Sequence, residues 1–145
     1  MFKHLLLPTD GSPLSDAAIK QCVQFARAVG AKITGFHAIP EFHVFTSHPE
    51  MLDDTKERFL KDCRAYAKEY LAVLESAASE AGVPCDTVVV VSDEPYQEVI
   101  RAAEQKGCDL IAMASHGRKG IEGFLIGSVT QKVLSHSQIP VLVFR

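Results

Sequence analysis

The chain is poor in the features that mark membrane, secreted and nucleic-acid-binding proteins. No segment reaches the roughly 18 consecutive apolar residues of a membrane span, and the run Leu5, Leu6, Leu7 stops at Pro8 and Asp10. Neither a transmembrane helix nor a signal peptide is expected. Cysteine is sparse: Cys22, Cys63, Cys85 and Cys108 stand 41, 22 and 23 residues apart, with no CxxC pair. They read as reduced thiols of a cytoplasmic protein. Positive charge is not in excess either, since 15 Lys and Arg face 18 Asp and Glu for a formal charge of −3. That balance argues against a nucleic-acid partner and against a polybasic membrane anchor. Internal repeats and low-complexity tracts are also missing. What remains is 145 residues of average composition, 47% hydrophobic and 23% charged, which predicts a single domain over 1–145 with one buried core.

Apolar periodicity places the elements. Phe2 to Leu7 reads as a strand closed by the turn-forming cluster Pro8-Thr9-Asp10-Gly11-Ser12-Pro13. From Ser15, Ala18, Ile19, Cys22, Val23, Phe25, Ala26 and Val29 recur at helical spacing up to Gly30. Lys32 to Ile39 is a second strand ended by Pro40, and Glu41 to Glu50 has no sustained period and reads as a loop or broken turn. A long amphipathic helix then runs from Leu52 to Ala81, with Tyr66, Tyr70 and Leu74 as a core stripe. Thr87 to Val91 is a β-branched run suited to burial on both faces, and Pro95 opens a helix that reaches Gly107. Leu110 to Ala114 is a fourth strand, Ser128 to Ser135 a helix, and Val141 to Phe144 a fifth strand. Strict β-α alternation predicts an α/β fold: one doubly wound, five-stranded parallel sheet with helices on both faces.

In such a sheet a ligand sits beyond the carboxyl ends of the strands, where strand order reverses. The expected order is 3-2-1-4-5, because it brings two informative loops to one crevice: Pro8 to Ser12, and Ala114 to Ser128. The second carries four glycines in the eleven positions from Gly117 to Gly127 and delivers Gly127-Ser128 onto a helix start. Backbone N–H groups and the positive helix end there suit an anion such as phosphate; the same glycines also suit the turning of a long loop, with Ser128 as a helix cap. The loop holds neither the GK[ST] of a Walker A motif nor the GxGxxG dinucleotide fingerprint.

LLLPTDGS, FHAIP, LIAMASHGRKG and GFLIGSVTQKVLSHSQIPVLVFR together make the whole chain resemble the universal stress protein family. The nucleotide-binding subset of that family shows G-x2-G-x9-G-[ST]. Here the register is Ala114-x2-Gly117-x9-Gly127-Ser128, with alanine at the first glycine. The resemblance implies a Rossmann-like fold of the adenine nucleotide alpha hydrolase kind that binds ATP, or ADP or AMP, with Mg²⁺ or Mn²⁺ held mainly by the phosphates. It implies that Pro8, Thr9 and Asp10 border the adenosine and that the strand end at Ala38 meets the adenine. Met113, Ala114, Ser115, His116 and Gly117 with Gly127, Ser128, Val129 and Thr130 would surround the ribose and phosphates, and Arg118 would add charge beside them. It further implies a role in stress response as a sensor or regulator and a homodimer built on the last strand. A slow ATPase and a nucleotide-free interaction module are the alternative readings.

Several residues carry two readings. Asp10 suits a ribose hydroxyl or a divalent cation, and equally a turn or helix cap. Arg118 and Lys119 suit a phosphate or a solvated turn. Ser115 and His116 are adjacent, which is expected to aim their side chains apart, and no third residue orients the imidazole. His37, His43 and His48, spaced by six and five, match no established metal-ligand pattern and are expected to be structural or solvated.

Overall fold

The computed structural model describes residues 1–43, 49–117 and 126–145, and the side chains of these except at 49–52. Strands and helices alternate as β1 (His4–Pro8), α1 (Pro13–Val29), β2 (Lys32–Ile39), α2 (Pro49–Ala81), β3 (Cys85–Val91), α3 (Pro95–Lys106), β4 (Leu110–Ala114), α4 (Ser128–His136) and β5 (Val141–Phe144). All strand pairs are parallel, and the sheet order is β3-β2-β1-β4-β5. The two-residue period of a strand divides the core between the faces of the sheet. From central β1, Leu5 and Leu7 join Ile19, Cys22, Val23 and Ala26 of α1 and Leu74 and Ala78 of α2. Leu6, on the other face, joins Phe36, Val99 and Ala103 of α3, and Val133 of α4. All three leucines are fully buried.

Three expectations are revised. β3 is an edge strand and α2 covers its face incompletely; Val89 and Val91 are 36% and 38% exposed, where burial on both faces was expected. The Tyr66, Tyr70, Leu74 stripe is not uniformly core: Leu74 is buried, Tyr70 half-buried and Tyr66 55% exposed. The segment read as a loop to Glu50 gives way to α2 at Pro49. Among the described residues no helix is long and apolar enough to cross a membrane, and all four cysteines are free.

At the amino ends of the strands a polar network joins four elements, β1, β2, β3 and α3. His4, buried, donates Nε2–H to Thr34 Oγ1 at 2.7 Å; the Thr34 hydroxyl in turn donates to Asp86 Oδ1, and Lys106 Nζ donates to Asp86 Oδ2 at 3.0 Å. Burial first, and the charge of Lys32 second, hold the His4 imidazole below its usual 6.5. Burial works against ionisation of Asp86, but the Thr34 hydroxyl and the Lys106 ammonium outweigh it and keep the carboxyl below its ordinary value. Both depressed groups bind protons better in the unfolded chain, so acid favours unfolding. The His4 contribution is complete above about pH 6.5 and is lost as the pH falls from there toward its folded value; that of Asp86 is lost only below about pH 4. Urea unfolding is therefore expected to show the wild type losing more stability than His4→Gln between about pH 7.5 and about pH 5.5. Equal losses would remove His4 from the account.

Candidate functional site

The sheet opens at the switch between β1 and β4. These strands pair at Leu5 with Leu110 and Leu6 with Ile111, and strand order reverses between them, which is where an open parallel sheet forms its ligand crevice. On the β2 side, β1 follows β2 as far as Pro8 opposite Phe36, and the Thr9 N–H reaches the Phe36 carbonyl at 2.9 Å. Strand alternation turns the amide and carbonyl of Ala38 to the same side as those of Phe36. Ala38 therefore presents its backbone edge to the crevice past the end of β1.

The loop after β1 is built by short polar side chains. The Asp10 carboxylate accepts the Ser12 N–H at 3.0 Å through Oδ1, an Asx turn that sets up Ser12 as the cap of α1. Ser12 Oγ accepts the Ser15 N–H at 3.2 Å, and Ser15 Oγ–H donates to Thr9 Oγ1 at 3.1 Å. Gly11 is required by its φ of 76° and by the ring of Tyr70, which lies where a Cβ would stand. His37 donates Nδ1–H to the Thr9 carbonyl at 2.8 Å and meets the Tyr70 ring edge-on. Tyr70 and His37 thus brace the Asp10 loop from outside, a role that the helical period of α2 did not reveal.

The loop after β4 meets the Asp10 loop directly. A Cβ on Gly117 would collide with Asp10 Oδ2, so glycine here permits the carboxylate to approach the backbone. At the far end of the loop the Gly127 N–H donates to the Ser115 carbonyl at 2.5 Å. A Cβ on Gly127 would stand 3.2 Å from both His116 Cα and the Ser115 carbonyl oxygen. Neither Gly117 nor Gly127 has a positive φ, so close approach and not a left-handed turn is what these positions demand.

That contact fixes the start of α4 over the crevice. The first bond of the helix runs from Gln131 N–H to the Gly127 carbonyl, leaving the N–H groups of Ser128, Val129 and Thr130 without a partner inside the helix. The first turn holds no acidic residue, so its positive end is not neutralised by its own side chains.

The predicted site residues divide into those that face the crevice and those that support it. Asp10, Gly117 and Gly127, with Ser128 next in the chain, come together there, whereas Pro8 is paired with β2 and Thr9 is buried, its amide, carbonyl and hydroxyl held by Phe36, His37 and Ser15. Met113 is buried in the core beside Val133, and Val129 packs against the same cluster, so their backbones alone are available. Thr130 is buried and donates Oγ1–H to the Ala114 carbonyl at 2.9 Å, tying α4 to the end of β4. Ala114 has a negative φ, as expected at a strand end. Contrary to the expected divergence, Ser115 Oγ lies 3.2 Å from His116 Nδ1, because the chain has left the strand and its alternation at this point. His116 Nε2 is buried and has no hydrogen-bond partner among the described residues. Arg118 and Lys119 lie outside the described residues, as does His48.

A crevice formed by an Asp-Gly-Ser loop, a glycine-held helix start and an unpaired strand edge is matched at the level of the whole chain. The family model described as "Universal stress protein family" covers residues 1–145. The chain belongs to the universal stress protein family. It is 34% identical over 149 residues to universal stress protein YxiE of Bacillus subtilis, with both chains covered in full. The solved structure of MJ0577, a universal stress protein of Methanocaldococcus jannaschii, superposes with a TM-score of 0.84 at 28% identity, covering 99% of this chain and 95% of that one. A universal stress protein from Archaeoglobus fulgidus, solved in complex with dAMP, superposes with a TM-score of 0.71 over 100% of this chain and 98% of its own. At 16% identity the last comparison shows the fold alone. The parallel sheet and its order are those of this universal stress protein's structural relatives.

Proposed function

We propose that this universal stress protein binds ATP in the crevice between β1 and β4, with Mg²⁺ or Mn²⁺, and works in stress response as a nucleotide-dependent sensor or regulator. The observation that carries the reading is the open N-terminus of α4, held against the β4 loop by Gly127 and placed beside Asp10. Phosphate oxygens suit the Ser128 hydroxyl and the first N–H groups of α4. The backbone edge of Ala38 suits the hydrogen-bonding edge of a purine. A carboxylate next to a polyphosphate is repulsive unless a cation lies between them, and Asp10 against Gly117 gives a divalent ion that position. The relative from Archaeoglobus fulgidus with dAMP lends support from the same fold. Mass spectrometry of ligand released from freshly purified protein tests the proposal: an adenine nucleotide is expected, and conversion of bound ATP to ADP with time would mark slow hydrolysis. No adenine nucleotide, either as purified or after incubation with Mg·ATP, would defeat it.

The same reading includes a homodimer through β5, in solution in the cytoplasm. The Ser115 N–H bonds to the Phe144 carbonyl and the Ile111 N–H to the Pro140 carbonyl, so residues of even number in this strand face β4. Val141 and Val143 turn their backbone groups to the outer edge, a template for antiparallel pairing with a second copy. Light scattering at micromolar protein is expected to give a dimer mass, and Val143→Pro, which deletes an outward donor, is expected to give a monomer. A wild-type mass that stays monomeric at every concentration contradicts this.

A further inference from the structure

Away from the crevice, three potential metal ligands meet where β2 and β3 leave the sheet. The parallel register sets Ile39 opposite Val91, and the Ser92 N–H donates to the Ile39 carbonyl at 2.8 Å. One step further the ladder is continued by a side chain: the Glu41 N–H donates to Asp93 Oδ1 at 2.9 Å. With that oxygen anchored, Asp93 Oδ2 is aimed at His43 Nε2, to which it is hydrogen-bonded. Phe42, between Glu41 and His43, packs against Phe59 of α2 with ring centroids 5.3 Å apart, which fixes the segment from its other side.

One imidazole nitrogen and two carboxylate oxygens, from Glu41, His43 and Asp93, lie within 4.8 Å of one another. Donors around one Zn²⁺ stand about 3.3 Å apart, given metal–ligand bonds of about 2.0 to 2.2 Å. Small side-chain rotations close that gap, with the cation taking the place of the hydrogen bond between His43 and Asp93. The backbone amide on Oδ1 is then an outer-shell bond of the kind that orients a ligating carboxylate. All three residues are exposed, so water can complete the coordination.

We propose that Glu41, His43 and Asp93 form a binding site for a divalent transition-metal ion of the Zn²⁺ and Co²⁺ class. A mixed nitrogen and oxygen set suits such ions, whereas Mg²⁺ and Ca²⁺ prefer all-oxygen shells. The site shares no residue with the nucleotide crevice and stands or falls independently of it.

The test uses the 145-residue chain freed of nucleotide and treated with chelator. CoCl₂ is titrated by visible absorption and ZnCl₂ by calorimetry, in the wild type, His43→Ala, Asp93→Asn and a control at another exposed histidine, His136→Ala. One Co²⁺ per chain is expected, without a sulfur-to-cobalt charge-transfer band. Affinity is expected to fall at least about tenfold in His43→Ala and in Asp93→Asn and to hold in His136→Ala. Circular dichroism melts establish that the surface variants are folded. Wild-type binding no tighter than millimolar, a sulfur-to-cobalt band, or unchanged affinity in either His43→Ala or Asp93→Asn overturns the proposal.

Discussion

Gly127→Val is expected to weaken ATP binding at least about a hundredfold, a loss of roughly 2.7 kcal/mol, while the chain still folds. The Cβ alone would stand 3.2 Å from two backbone atoms, His116 Cα and the Ser115 oxygen. Backbone cannot swing aside as a long side chain can, so the β4 loop and the start of α4 must separate. The bond from the Gly127 N–H to Ser115 is lost with that movement, and the N–H groups of Ser128 to Thr130 leave the crevice. The opposite end of α4 is held independently by Val133 in the core, which is why folding survives. Calorimetric titration beside a thermal melt separates the two effects. A variant that binds ATP as tightly as the wild type would show that the phosphates lie elsewhere.

Phe36→Ala is expected to cost about 3 to 5 kcal/mol of stability, a large share of what a domain of this size has. Phe36 is 2% exposed on β2, which has a strand on each side, and it fills the face shared with Leu6, Val99 and Val133. Deleting it leaves a cavity that neighbours on paired strands cannot close. Val89→Ala, on the edge strand and 36% exposed, is expected to cost less than about 1.5 kcal/mol. Urea denaturation of the two variants checks the contrast. Equal costs would mean that β2 is no better covered than the edge strand β3.

Alternating β and α patterns made the architecture legible before any coordinates, because parallel strands require crossovers and crossovers fix the layering. Periodicity reports which face of an element is apolar, and not how much of that face is covered. At about 1.5 Å per residue the 33-residue α2 is roughly 50 Å long, whereas the eight residues of β2 span only about 27 Å. An apolar stripe of that length outruns the sheet it covers, and Tyr66 within it stacks on Tyr70 while staying 55% exposed. For β3, the valine run gave no sign that the strand would be outermost, since edge position is a property of strand order and not of local composition.

The crevice was legible in the same uneven way. Asp10, Gly117 and Gly127 stand in loops whose meeting follows from strand order, and the structure joins them. The bracing of Gly11 by Tyr70, the tie from Thr130 to Ala114 and the contact between Ser115 and His116 depend on side-chain directions that spacing does not encode. Glu41 and His43 find Asp93 only through the register of Ile39 with Val91, and no motif spacing reports a pairing some fifty residues apart.

Alanine stands where the family's nucleotide-binding motif has its first glycine. Ala114 needs no positive φ and adds only a methyl group beside a carbonyl already held by Thr130. Titration of Mg·ATP into the nucleotide-free wild type, with Ala114→Gly in parallel, tests the central claim most directly. Saturable wild-type binding within about tenfold of Ala114→Gly, or roughly 1.4 kcal/mol, is the predicted result; a wild type that fails to bind at millimolar ATP while Ala114→Gly binds would contradict it and leave this chain a nucleotide-free member of its family.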